Sequence, residues 1–269
     1  MDIMPLARSL SLPAMTLQAL ETIVLPDNHE ALREMYMHED FLHFRQAAQG
    51  LDDLTMLRLL LSWVPCMHAQ YQALGIPEHI FRDNLKDFTI WSHDDVNKTG
   101  HPGFSHWRWV ARSLRMNIIR LGRLQFERTT LSEDVFLEGT IYPAGTPVLA
   151  VHIPAGEPLE PAAVLDAFAR AQDFFPHYLD AHDRLLHCHT WLLAPELNDL
   201  LPSSSRILQF QRLFHVYAHN DAHQAEERVF GSVLDDPALY PAHTSLQKAL
   251  KAYLLSGGKV GAGAGVRIL

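Results

Sequence analysis

Cysteine is nearly absent. Cys66 and Cys188 are the only two in 269 residues, which excludes a disulfide framework and a metal site of paired thiolates. Positive charge is also scarce: 22 lysines and arginines face 31 acids, a net charge of −9. That sign is opposite to a surface that tracks phosphates, so no nucleic-acid partner is expected. The longest apolar stretch, Leu54 to Met67, is interrupted by Arg58 and Pro65 and falls short of the roughly 20 residues that cross a bilayer. The opening MDIMPLARSL has no apolar core behind its arginine, unlike a secretory signal. A cytoplasmic protein without membrane association is the expectation.

Hydrophobic residues are plentiful, 48% against 20% charged, which excludes disorder and suffices for one large domain or two ordinary ones. Histidine is also abundant. Of 17 in the chain, seven (His177, His182, His187, His189, His215, His219 and His223) fall within 47 residues.

The first hundred residues read as helices. Asp27 or Asn28, with Glu30 placed for a capping box, opens one carrying Leu32, Met35, Phe41 and Phe44. Leu54, Leu57, Leu61 and Val64 repeat along a second, which Pro65 should kink or end. Phe81, Leu85, Phe88 and Trp91 step along a third that starts at Pro77. Residues 97–103, with Gly100, Pro102 and Gly103, lack periodicity and suggest a domain junction. The expected organisation is α+β: a helical N-terminal domain over 1–103 and a mixed α/β sheet domain over 104–269.

In that second part a short helix through Trp107, Val110 and Leu114 leads into Ile118–Arg128, where alternation slips by one residue at Gly122 as at a β-bulge. Val135–Tyr142 and Pro147–Ile153 read as further strands of an antiparallel meander. A helix starting at Pro161, with Leu165, Phe168, Ala171 and Phe175 inward, then a strand over Leu185–Leu193, complete a parallel βαβ unit. Helices from Ser205, Asp221 and Ser245 and a strand around Leu213–Tyr217 follow. The glycine-rich end, residues 257–269, reads equally as a flexible tail or a closing strand.

In an open sheet, ligands bind beyond the carboxyl ends of parallel strands. The loop after Ile153 is poor in donors: Pro154, Pro158 and Pro161 have no N–H, leaving the amides of Ile153, Ala155, Gly156, Glu157 and Leu159. Alternation puts His187 and His189 on one face of their strand and Cys188 on the other, so Cys188 and His189 make no nucleophile pair and Cys188 reads as a buried thiol. His187 and His189, completed from His215, His219, Asp221 or His223, have metal-ligand chemistry, yet neither HExxH nor a cupin-like spacing is present and no metal is expected. Glu127, at the end of a strand, reads as a carboxylate base or as a partner of Arg120 or Arg123.

Three segments taken together, IIRLGRLQFE (118–127), VLAVHIPAGEPL (148–159) and CHTWLLAPELNDLLPSSSRILQF (188–210), resemble a bacterial family of acyltransferases. Its members have a helical N-terminal domain and a C-terminal domain similar to the GNAT fold of N-acyltransferases. The resemblance implies acyl-coenzyme A as co-substrate, entering where two central parallel strands splay, and an amine as acceptor. It places the donor against Ile153, Ala155, Gly156, Glu157 and Leu159, offers Glu127, His152 or His189 as base, and offers Tyr217 as acid. The superfamily's pyrophosphate loop, arginine or glutamine followed by x-x-glycine-x-glycine or alanine, is replaced here by Pro154-Ala155-Gly156-Glu157. Two alternatives stand beside this expectation: a histidine-based metal enzyme, and a catalytically degenerate GNAT-like module that binds a ligand or partner.

Overall fold

A computed structural model describes residues 2–181 and 183–269. They form two compact units, one ending at Arg120 and the other starting at Leu121.

The first unit holds α1 (Met4–Ser9), α2 (Ala14–Thr22), α3 (His29–Met37), α4 (Phe41–Ala47), α5 (Asp53–Ala73), α6 (Glu78–Asn84), α7 (Lys86–Thr99) and α8 (Trp107–Leu114). Asn28 occupies the N-cap of α3 without a side-chain cap bond, and Glu30 pairs with Arg33 at 2.7 Å instead of closing a box. Glu39, left-handed at φ +64°, separates α3 from α4, so Phe41 and Phe44 belong to a second helix capped by Asp40. Pro65 does not end α5: the helix continues to Ala73. The lost hydrogen bond at one turn is offset by a helix buried on several sides, with Leu57, Leu60, Leu61, Trp63, Val64 and Met67 all in the core. Gly100, in the glycine- and proline-rich segment, is the left-handed residue that caps α7. Deep in this unit Arg120 Nη2 meets Asp87 Oδ1 at 2.8 Å, both side chains almost fully buried, while Trp109 Nε1 donates to the other Asp87 oxygen at 2.9 Å.

The sheet contains β1 (Ile118–Leu121), β2 (Leu124–Thr130), β5 (Pro147–His152), β6 (Leu185–Thr190), β7 (His215–Asn220) and β8 (Ala262–Ile268) in the order β1-β2-β5-β6-β8-β7. The phase slip at Gly122 is a turn, not a bulge: Gly122 and Arg123 join two strands, with Gly122 at φ +66°, the conformation a two-residue hairpin loop requires. The meander is corrected as well. β2 pairs antiparallel with β5, while β3 (Val135–Leu137) and β4 (Thr140–Tyr142) form a separate two-stranded ribbon.

β5 and β6 run parallel, and α9 (Pro161–Leu179) connects them in sequence. Its buried face is Val164, Ala167, Phe168, Ala171, Phe174 and Phe175; Leu165, expected inward, is 47% exposed. Phe126 of β2 meets Phe168 and Phe175 edge-on, at 6.4 and 6.3 Å. Even-numbered β2 residues therefore face α9 and odd-numbered ones face away. β6 stops at Thr190, and Trp191–Leu193 turn into a 3-10 helix. α10 (Leu197–Leu200), α11 (Arg206–Gln211), α12 (Gln224–Phe230) and α13 (Ser245–Leu255) complete the unit.

The glycine-rich segment is a strand. β8 lies between β6 and β7, antiparallel to both. Glycine is needed there for space: an added Cβ would stand 1.6 Å from the Asn220 carbonyl oxygen at Gly261 and 2.3 Å from that of Leu193 at Gly263.

Candidate active site

The parallel strands stay together only briefly. Leu149 pairs with Leu186 and Ala150 with His187; from there β5 continues along β2 through Val151 and His152, and β6 continues along β8 through Cys188, His189 and Thr190. The two co-directional strands thus part at their carboxyl ends. Cys188 lies in this gap, its thiol donating to the Val151 carbonyl at 3.4 Å. Burial raises its pKa well above the ordinary thiol range, so it is an inert structural thiol.

Register places the other side chains. Glu127 is opposite Ala150, Ala150 opposite His187, and His187 opposite Val266. Glu127, His152, His187 and His189 therefore share the face turned away from α9. A diagonal cross-strand contact follows, the kind that neighbours two residues out of register make: His152 Nε2 is 3.0 Å from Glu127 Oε2, with Glu127 9% exposed. This histidine is a partner of Glu127 that the sequence does not reveal.

Further along the face, His187 Nε2 and the Tyr217 hydroxyl share a hydrogen bond of 3.1 Å. They come from strands that flank β8, and a register irregularity between Val216 and Ala218 sets Tyr217 free of the ladder. Burial lowers the His187 pKa, and the neighbouring His189 and His152 lower it further. Burial raises that of Tyr217, with Glu133 adding to the effect. At neutral pH the imidazole is neutral and the phenol keeps its proton. The apolar floor beside them is Val148, Leu185 and Val266, covered by Leu131, Val135 and Leu137.

His189 sits at the exposed end of the same face, its Nε2 3.1 Å from Asn220 Nδ2. Glu127 with His152 and Tyr217 with His187 thus form two pairs on one face, and His187 is one that the sequence offers only as a metal ligand. The metal constellation does not form. Among the described residues, His187, His189, His215, His219, Asp221 and His223 never bring three donor atoms together, and His223 Nδ1 lies 2.6 Å from Glu226. His182 lies outside the described residues. The close three-donor set that does occur is Asp94, Asp95 and His106, where the Asp95 carboxylate already accepts from the Ser105 amide and hydroxyl, both at 2.7 Å.

The loop after β5 carries Ile153, Ala155, Gly156, Glu157 and Leu159. It is held by Arg123, whose Nη1, Nη2 and Nε donate to the carbonyls of Pro154, Glu157 and Pro158 at 2.9, 2.8 and 2.9 Å. Glu160, whose charge would repel an anion, pairs with Arg206 at 2.7 Å. Extending the β2–β5 register by two residues would have found the contact, since it sets Arg123 opposite Pro154.

Residues 118–267 match the model of the GNAT-like C-terminal domain. The chain belongs to this GNAT-like family. Residues 1–116 match the model of the N-acyltransferase N-terminal domain, so the GNAT-like fold here follows an N-acyltransferase helical region. A search of curated proteins found no match. Among solved structures, an acyltransferase in complex with decanoyl-CoA is 26% identical, with a TM-score of 0.78 over 98% of this chain and 86% of that one. An acyltransferase in complex with decanoyl-CoA and teicoplanin is 24% identical, TM-score 0.78, over 98% and 87% of the two chains. No helix among the described residues is long and apolar enough to cross a membrane.

Proposed function

We propose that this GNAT-like protein transfers an acyl group from a coenzyme A thioester to an amine. The observation that carries the proposal is the parting of β5 from β6 with Glu127, His152, His187 and Tyr217 gathered on one face beside it. The residues fit such a donor. The parallel ladder ends at Ala150 and His187, as an arm inserted beyond it requires, and Ala155 and Leu159 in the adjoining loop have amides with no acceptor among the described residues.

A bound thioester supplies an electrophilic carbonyl and a thiolate leaving group. For the amine to attack, a proton must leave its nitrogen, and the Glu127–His152 pair takes that proton as a unit. The buried carboxylate steadies the imidazolium that forms. Tyr217, protonated at neutral pH, holds at its hydroxyl the proton that a departing thiolate requires, and neutral His187 fixes the direction of that hydroxyl. His189, exposed beside Asn220, is outside the Glu127–His152 pair and is assigned to contact with the acceptor instead of to the base. The C–N bond forms, the C–S bond breaks, and one proton moves from amine to sulfur through these groups.

Calorimetric titration with acetyl-, octanoyl- and decanoyl-coenzyme A tests the donor, followed by thiol release in the presence of an amine panel. Saturable binding of at least one donor is expected. Silence across all three chain lengths would refute the proposal.

A further inference from the structure

The loop that stands in place of the superfamily's glycine-rich motif is rich in proline, yet its backbone is oriented by a side chain from another strand. Arg123 is 7% exposed and spends three of its five N–H donors on the carbonyls of Pro154, Glu157 and Pro158. No peptide among the described residues is cis. In a planar trans peptide the C=O and the following N–H point in opposite directions. A Pro154 carbonyl aimed at Arg123 therefore aims the Ala155 amide away from it, and the Pro158 carbonyl does the same for the Leu159 amide. The third peptide, between Glu157 and Pro158, has no N–H to present. The loop thus turns three carbonyls inward and two amides outward, and neither amide meets an acceptor among the described residues. Gly156, at φ +94°, supplies the bend between them.

We propose that Arg123 is a positioning residue for donor binding: it acts through the loop, withdrawing carbonyl oxygens and presenting the Ala155 and Leu159 amides to a phosphate ester or diphosphate on the acyl carrier. The buried guanidinium adds positive charge behind the amides without touching the anion. This rests on the proposed acyl-coenzyme A reading and assigns its anionic portion to a particular pair of backbone donors.

The test compares two ligands on the full chain, decanoyl-coenzyme A and decanoyl-pantetheine, which has the same thioester arm and no phosphate. Arg123→Met is expected to weaken the first by about 10- to 100-fold, as loss of charge-assisted hydrogen bonds does, and to leave the second within about twofold. Arg123→Lys, able to reach one carbonyl at a time, falls between. Ala155→Pro removes one outward amide while Arg123 stays in place, and it should reproduce part of the loss. It carries the same comparison if thermal unfolding shows Arg123→Met to be misfolded. Equal loss for both ligands, or no loss for either, would overturn the role of Arg123. Wild-type protein that binds the two ligands equally well would also overturn it while leaving the thioester reading intact. Wild-type protein that binds neither would overturn the thioester reading, and this role with it.

Discussion

Replacing Glu127 with glutamine keeps the shape of the side chain and one hydrogen bond to His152 but removes the charge. At the 3.0 Å separation seen here, a full imidazolium–carboxylate attraction is about 5–6 kcal/mol with an effective dielectric constant near 20. Solvation of the partly exposed imidazole reduces it. General-base assistance is worth about 10²–10⁴ in rate, or ~3–5 kcal/mol at 1.36 kcal/mol per decade, and the two figures overlap. Glu127→Gln should therefore lower kcat by about 10²–10⁴-fold with donor affinity unchanged, measured as thiol release beside calorimetry. His152→Ala should fall in the same range. Because the pair acts as one base, the double variant should be no worse than the poorer single variant. A glutamine variant within about threefold of wild type would refute the base assignment; a double variant whose losses multiply would refute the coupling.

The depressed pKa of His187 means that the unfolded chain binds its proton first as pH falls. Stability should be full above the ordinary value of 6.5 and decline below it, down to the lower folded-state pKa. His187→Gln should flatten this decline in thermal unfolding followed from about pH 5 to 8, and an unchanged slope would count against it. Arg120→Met leaves Asp87 charged and buried in the first unit, at an expected cost of about 3–5 kcal/mol. Denaturant unfolding followed by tryptophan fluorescence checks this, and a loss below about 1 kcal/mol would show that the Asp87 charge is relieved otherwise. Gly263→Ala drives a methyl against the Leu193 carbonyl. Backbone must shift, so a loss of about 1–3 kcal/mol or more is expected; a wild-type unfolding midpoint would refute the close approach.

Much of this fold was legible because hydrophobic period reports burial directly. The βαβ unit and α13 lie where their patterns put them, and the three segments of family resemblance fall in the domain that matches the GNAT-like model. What misled the reading was punctuation. Pro65 looked like a helix end because propensity is local, whereas the packing of α5 is tertiary. Gly122 looked like a bulge because a hairpin and a bulge both shift alternation by one residue. At the candidate site, sequence periodicity put His187 and His189 on one face but could not show that β8 comes between them and Tyr217. The Glu127–His152 contact required the β2–β5 register, and the Arg123–Pro154 contact required its extension by two residues. The glycines of β8 were ambiguous because absent side chains carry no period; only their neighbours' proximity explains them.

β8 comes last among the strands in sequence and yet is an interior strand of the sheet. His187 and Tyr217 belong to strands that are not paired with each other, and they meet only across β8. Synthesis must therefore finish β8 before the hydroxyl finds its imidazole. Activity, if measured during refolding, would report threading of this strand and not merely collapse of the core.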